Sequence, residues 1–367
     1  MPDDGGAKAH GRDGENIGDQ REQGAIELSG PTDGSAPSPP RPAQPRPTPG
    51  PRRKAPKPRE PLSPRRHLAG MQASRTPEYL IIGHICADLL PDGTAVLGGT
   101  ALYSALTAAR LGWRVGVLTR GAFGATINGT PIPSLEPYAE EMSIIVQDAD
   151  HPTMFINEYT AGRRIQTMPA WAGPIDLRGL PPHWRNARVI HLGPIAQEID
   201  PKQTGSLTPY FLGLTPQGWM RDWPRETGGR VKLNHLRLPG ELVGRLDGVV
   251  VSDEEVTLSR DTIERVGSRR LGVVTKGEFG ARVYYGGEHA DLPGYKVPVV
   301  DVTGAGDVFA AAFFIRATDR TASAITAGKF ANAVAALSLR AVGPAGVPTL
   351  GEVKEFLHRA EERTVLR

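Results

Sequence analysis

The chain has 367 residues, a formal net charge of +3 and one cysteine, Cys86. A lone cysteine excludes an intrachain disulfide framework and fits a reducing cytoplasm, while no run of eighteen apolar residues marks a transmembrane helix and the N-terminus lacks the apolar core of a secretory signal. The basic excess does not point to nucleic acid, because it belongs to the tail: residues 1–75 carry 13 Lys and Arg against 9 Asp and Glu, and the remainder 30 against 31.

Residues 1–76 hold 14 of the 34 prolines and no aromatic residue, so they cannot bury a core and read as a disordered basic tail. Met71 offers an alternative start of translation that would remove residues 1–70. The folded domain is expected over residues 77–367. Residues 78–86 read as a buried first strand that ends at Asp88 and delivers its carboxylate to the carboxyl edge of a parallel sheet. Cys86 reads there as a small core residue. Gly98 and Gly99 precede a helix over 100–111, which Gly112 stops. A second strand covers 114–118, a loop, helix and strand fill 124–150, and 153–168 alternates loosely between apolar and polar residues. Further strands are expected at 188–192, 210–214, 247–251, 272–275 and 281–285. Ser252 and Glu255 have the spacing of a capping box, with Ser252 as N-cap and Glu255 at N3. Residues 322–341 read as a buried helix with Asn332 as its odd polar member, and 350–363 as an amphipathic closing helix. Strands alternating with helices predict an α/β fold, a doubly wound and mostly parallel sheet whose ligands gather at the carboxyl ends of the strands.

The most informative stretch is Asp301-Val302-Thr303-Gly304-Ala305-Gly306-Asp307. Val299 and Val300 before it read as the end of a strand, and the apolar run 308–315 after it as a buried helix. The glycine turn therefore sits at a helix N-terminus, where backbone N–H groups lack intrahelical partners and the macrodipole is positive. Such a turn takes an anion. A carboxylate beside a phosphate is electrostatically unfavourable unless it handles a proton or a metal, so Asp307 reads as the base for a substrate hydroxyl in phosphoryl transfer. For a lone G-x-G, a tight connection with a capping Asp is the plainer reading. The full D-x-T-G-A-G-D string is far more specific.

That string resembles the phosphate-binding and catalytic motif of the ribokinase-like (PfkB) carbohydrate kinase family, and the resemblance covers about residues 78–350. It implies an ATP-dependent kinase that transfers the γ-phosphoryl group to a hydroxyl of a sugar or polyol, with Mg²⁺, on a ribokinase-like fold carrying a small β lid near 88–98 and 151–170. Asp307 would be the base, and the N–H groups of Gly304, Ala305 and Gly306 would hold the transferred phosphoryl. Asp88, Gly98 and Gly99 match positions that contact sugar hydroxyls, whereas Tyr103 stands where the family carries Asn, which counts against ribose. Asn157, Arg163, Arg164 and Gln166 are the lid candidates, and Gln217 and Arg221 those for the polar cluster near the phosphate. Each also reads as a surface residue, and Arg221 as a partner of Asp222. Glu255 matches the acid that organises waters around Mg²⁺, with Ser252 replacing the family's Asn.

Thr275, Gly277 and Gly280 match the nucleotide-contact turn, for which an ordinary hairpin-like turn is the alternative. Thr303, Asn332 and Gly346 fall on the same nucleotide side, Asn332 reading equally as an amide bonded within the core. Asp301 and Thr303 match a monovalent-cation site for K⁺, or Asp301 is a structural turn carboxylate. The partner is a small molecule, with neither nucleic acid nor membrane, and family members are often homodimers joined through their lids. A nucleoside kinase of the same fold and a catalytically weak polyol- or nucleotide-binding sensor are the rival readings. The glycine fingerprints of dinucleotide-binding and P-loop enzymes are absent.

Overall fold

The computed structural model describes residues 75–160 and 163–365. The expectations for the tail over 1–74 lie outside the described residues, as do the side chains of Arg163 and Arg164.

The chain weaves between two sheets. It begins with β1 (Tyr79–Ile82), β2 (Cys86–Leu89), β3 (Ala95–Gly98), helix α1 (Thr100–Arg110), β4 (Val115–Arg120) and β5 (Ser143–Gln147). The hairpin β6 (Thr153–Thr160) and β7 (Arg163–Ala170) follows, then β8 (Val189–Leu192), β9 (Phe211–Leu214), the single turn α2 (Gln217–Met220) and β10 (Gly229–Arg230). The C-terminal half adds α3 (Gly240–Arg245), β11 (Gly248–Ser252), α4 (Val256–Gly267), β12 (Leu271–Thr275), β13 (Ala281–Tyr285) and β14 (Glu288–Leu292). Three helices close it: α5 (Ala305–Ala317), α6 (Ala324–Ser338) and α7 (Leu350–Val365).

Nine strands form the main sheet in the order β14-β13-β12-β11-β9-β8-β1-β4-β5. All neighbours are parallel except at the β14 edge, where β12, β13 and β14 pair antiparallel. Both faces are covered, as parallel strands require. Side chains of period two sort between them: Tyr79 and Ile81 join the core that holds α1, α5 and α6, while Leu80 and Ile82 join the core beneath α3 and α4. Helix α5 comes so close to the sheet that a Cβ on Gly213 would meet Phe314 Cδ2 at 2.5 Å. A second, five-stranded sheet runs β10-β7-β6-β2-β3.

Residues 78–86 are not one strand. The chain leaves the main sheet after Ile82, passing so close to the Gly193 carbonyl that a Cβ on Gly83 would fall on it. The next N–H groups then bond side chains instead of a ladder: His84 donates to Glu198 Oε1 at 2.9 Å and Ile85 to Thr119 Oγ1 at 2.9 Å. Asp88 consequently belongs to the small sheet and not to the carboxyl edge of the large one. Val299 and Val300 form no strand either, and Val300 N–H bonds the Leu339 carbonyl at 2.7 Å. Between 124 and 142 there is no α-helix but a 3₁₀ turn, Glu136–Tyr138, with Pro137 in its first turn. The capping box is half formed. Ser252 N–H donates to Glu255 Oε2 at 2.9 Å, but α4 starts at Val256 with Glu255 at the N-cap, and no Ser252 hydroxyl bond caps it.

Within the core under α5, Tyr79 OH, His191 and Thr215 are chained at 2.7 and 2.9 Å. Burial drops His191 to about 3, and burial likewise lowers His84, so both imidazoles are neutral in the folded chain. Below about pH 6.5 the unfolded chain takes up protons that the folded chain refuses, so stability falls as pH drops from there toward 3. The expected slope from His191 is up to about 1.4 kcal/mol per pH unit, and His84 adds to it in the same direction. Urea midpoints measured from pH 7 to pH 4, with His191→Gln showing a shallower decline than the parent, check this.

Candidate active site

Helix α5 starts at the glycine turn. Gly304 is its N-cap at φ 76°, and Asp307 lies in its first turn. A Cβ on Gly304 would stand 2.6 Å from Tyr103 Cδ2, so the positive φ and the close ring together require glycine. Tyr103 is buried with its ring against this turn, and Gly343 lies on the hydroxyl's side. It braces the anion turn and presents no open face to a substrate. Burial first, and then the Asp301, Asp307 and Asp88 carboxylates, push its phenol far above its usual range.

Asp307 is placed by α1. Thr100 Oγ1 donates to Asp307 Oδ1 at 2.7 Å, and Ser104 Oγ to the Asp307 carbonyl at 3.2 Å. Gln217 Nε2 donates to Thr100 Oγ1 at 2.7 Å, and Arg221 Nη2 to Gln217 Oε1 at 2.9 Å. Thr100, which the sequence reading missed, thus joins Asp307 to the two residues expected near the phosphate. Arg221 is buried; it also donates to the Ile195 carbonyl at 2.8 Å and lies over the Phe155 ring.

Asp88 is fixed from the small sheet. Gln166 Nε2 donates to Asn157 Oδ1 at 2.9 Å, and Asn157 Nδ2 to Asp88 Oδ1 at 3.0 Å. A Cβ on Gly98 would come 2.6 Å from Asp88 Oδ2, and Gly99, at φ 91°, is the N-cap of α1. The acceptor-side candidates Asp88, Gly98, Gly99, Asn157 and Gln166 are therefore in one place. Burial pushes the Cys86 thiol up beside them, which keeps it a neutral core residue.

The nucleotide-side candidates divide. Ala305 N–H turns to the Val302 carbonyl at 3.3 Å, which leaves Gly304 and Gly306 as the better anion donors of the three. Asp301 accepts Thr303 N–H at 2.9 Å and Gly343 N–H at 2.8 Å, tying the motif to the 342–348 loop. Partial burial raises Asp301, but these and its other hydrogen bonds outweigh that and hold it below the ordinary carboxylate range. Both its oxygens serve the backbone, which favours the structural reading of Asp301 over a K⁺ ligand. Asn332 Nδ2 donates to the Leu292 and Pro293 carbonyls at 3.4 and 3.2 Å, which ties the loop after β14 to α6. Gly346 packs on the Ser338 carbonyl and Gly280 on the Leu292 carbonyl, both as backbone crossings. Thr275 Oγ1 reaches the Val251 carbonyl at 3.3 Å, and Gly277 stays open at φ 54°. Among the described residues no three His, Cys, Asp or Glu side chains cluster to hold a metal.

Gly304→Ala is expected to lower stability by about 1–3 kcal/mol, since it strains a left-handed backbone and drives a methyl into Tyr103. An unchanged urea midpoint would disprove this account of the turn.

Residues 241–350 match the model of the pfkB family carbohydrate kinases. An uncharacterised sugar kinase of Pyrococcus horikoshii is 33% identical over 127 residues, which is 34% of this chain and 41% of that protein. The cytidine kinase of Thermococcus kodakarensis is 29% identical over 255 residues, 64% of this chain and 87% of the relative. In fold, the chain is similar to a pyrophosphate-dependent kinase of the ribokinase family solved with a pyrophosphate analogue and myo-inositol: TM-score 0.61, 21% identity, covering 76% of this chain and 99% of that one. No helix among the described residues is long and apolar enough to cross a membrane. The anion turn and its carboxylate at the start of α5 lie inside the stretch that matches the pfkB family carbohydrate kinase model, and the fold is that of the ribokinase-family kinases.

Proposed function

We propose that this protein is an ATP-dependent kinase that phosphorylates a hydroxyl of a sugar or polyol. The observation that carries the reading is Asp307, held by Thr100 at 2.7 Å in the first turn of α5, immediately after the glycine turn. The donor's terminal phosphoryl group lies at the Gly304–Gly306 turn, where backbone dipoles offset the charge on its oxygens. Asp88, braced by Asn157 and Gln166, accepts hydrogen bonds from acceptor hydroxyls and orients one of them toward that phosphorus. Asp307 takes the hydroxyl proton, the freed oxygen pair forms the new P–O bond, and the bond to the bridging oxygen breaks with its electrons leaving on ADP. Mg²⁺, when bound near Glu255, neutralises the phosphate charge; the protein's own part is to place donor and acceptor and to hold the proton at Asp307. The small sheet acts as the lid that excludes water from this reaction.

Four exposed valines support a nucleotide over bare pyrophosphate as donor. Val299, Val300, Val302 and Val342 are 60, 60, 64 and 70% exposed, and they flank the bonds joining Asp301 to Gly343 and Val300 to Leu339. A purine would cover apolar surface that pyrophosphate could not use. The cytidine kinase relative motivates nucleosides as the second acceptor class.

The test is ADP or phosphate release with Mg²⁺ and K⁺, with ATP or pyrophosphate as donor, and with sugars, cyclitols and nucleosides as acceptors. ATP-dependent turnover with one acceptor class is expected, falling by about 10²–10⁴-fold in Asp307→Asn. Turnover with pyrophosphate alone would overturn the donor, and no turnover with any pair would overturn the enzyme.

A further inference from the structure

Deepening that phosphotransfer reading, and resting on it for the role of Asp307, we infer that Arg221, Gln217 and Thr100 form a one-way chain of donors that orients the Asp307 carboxylate and keeps it ionised. The direction follows from the arginine. A guanidinium has donors only, so in the 2.9 Å contact Arg221 Nη2 donates and Gln217 Oε1 accepts. The amide of Gln217 is thereby fixed, and its NH₂ is turned to Thr100 Oγ1 at 2.7 Å. A hydroxyl that accepts on this side gives its single proton to the other side, where Asp307 Oδ1 lies at 2.7 Å. That oxygen must accept, which bars a proton from Oδ1, and a donated hydrogen bond stabilises the charged carboxylate more than an acid carrying its proton on Oδ2.

The origin of the chain is well held. Arg221 is buried, donates through Nη1 to the Ile195 carbonyl and packs over Phe155 of the small sheet. Three neighbours of Asp307, namely Tyr79, Cys86 and Tyr103, are each raised by burial and stay neutral. Asp88 and Asp301 face Tyr103 as further carboxylates, which would favour protonation of the cluster, and the Arg221 chain opposes this. Thr100, Gln217 and Arg221 are positioning residues, acting through Asp307.

The experiment is a carbon-13 NMR titration of the protein labelled at its aspartate carboxyls, with the Asp307 resonance assigned from Asp307→Asn. Thr100→Val is expected to raise the Asp307 midpoint by about one pH unit, and Thr100→Ser to restore it. Gln217→Leu should raise it by less, and the Thr100→Val/Gln217→Leu double variant by no more than Thr100→Val alone. In turnover, Thr100→Val should lower kcat about tenfold or more, with acceptor KM within about twofold, and the acid limb of kcat should move with the NMR midpoint. An unmoved midpoint in folded Thr100→Val, or additive shifts in the double variant, would overturn the chain. If Thr100→Val does not fold, Gln217→Leu against the parent decides, and an unmoved midpoint there overturns it equally. The two readings separate cleanly: a shifted midpoint without any turnover rejects the kinase and keeps the chain, while turnover lost in Asp307→Asn with an unmoved midpoint does the reverse.

Discussion

Two helix N-termini meet in this protein, and the carboxylate between them is what the rest is built around. Helices α1 and α5 begin beside each other, joined by the 2.7 Å bond from Thr100 to Asp307 and by the Tyr103 ring packed on Gly304. Two positive helix ends would repel if left bare. Asp307 sits where both dipoles favour a negative charge, so its position is stabilising before any ligand arrives. Glycine at Gly304, φ 76°, is what lets α5 start against the Tyr103 ring of α1, while Gly99, φ 91°, lets α1 start against the His84–Cys86 backbone.

The second constraint is the transfer of the chain from one sheet to the other. At Gly83 the backbone crosses beneath Gly193, and the N–H groups that a continuous strand would have paired go to Glu198 and Thr119. The Glu198 carboxylate also accepts from Ile195 and Ala196, at 2.9 and 2.6 Å. One buried acid thus satisfies the backbone of both segments at the crossing. This is the satisfaction that buried polar groups demand, and it sets the height at which Asp88 emerges on the small sheet.

Much of this was legible in the sequence, for identifiable reasons. The apolar runs at 79–82, 189–192, 248–251 and 271–275 are buried on both faces, so their hydrophobicity alone marks them as parallel strands. The glycine turn and Asp307 form a contiguous string, and local strings can be read without a fold. The failures are long-range. Nothing near Gly83 announces the Gly193 carbonyl across the sheet, so residues 78–86 read as one strand. Val299 and Val300 look like strand residues by propensity, yet their place is decided by Leu339 and Gly343, some forty residues later. Thr100 is an ordinary first residue of a helix until α5 arrives 207 positions on. Asn332 was visible as a polar residue in an apolar helix, but its partners, the Leu292 and Pro293 carbonyls, were not.

The separation of the two carboxylates onto different scaffolds has a further meaning. Asp307 is carried by helices packed on the main sheet, whereas Asp88, Asn157 and Gln166 all ride on the small one. If the proposed function holds, changes to the residues that line the small sheet would alter which hydroxyls are recognised while the α5 turn and Asp307 keep their supports. A lineage built this way can diversify its acceptors by drift on one sheet alone, with Phe155, which reaches from the small sheet to Arg221, as the point where such drift would meet resistance.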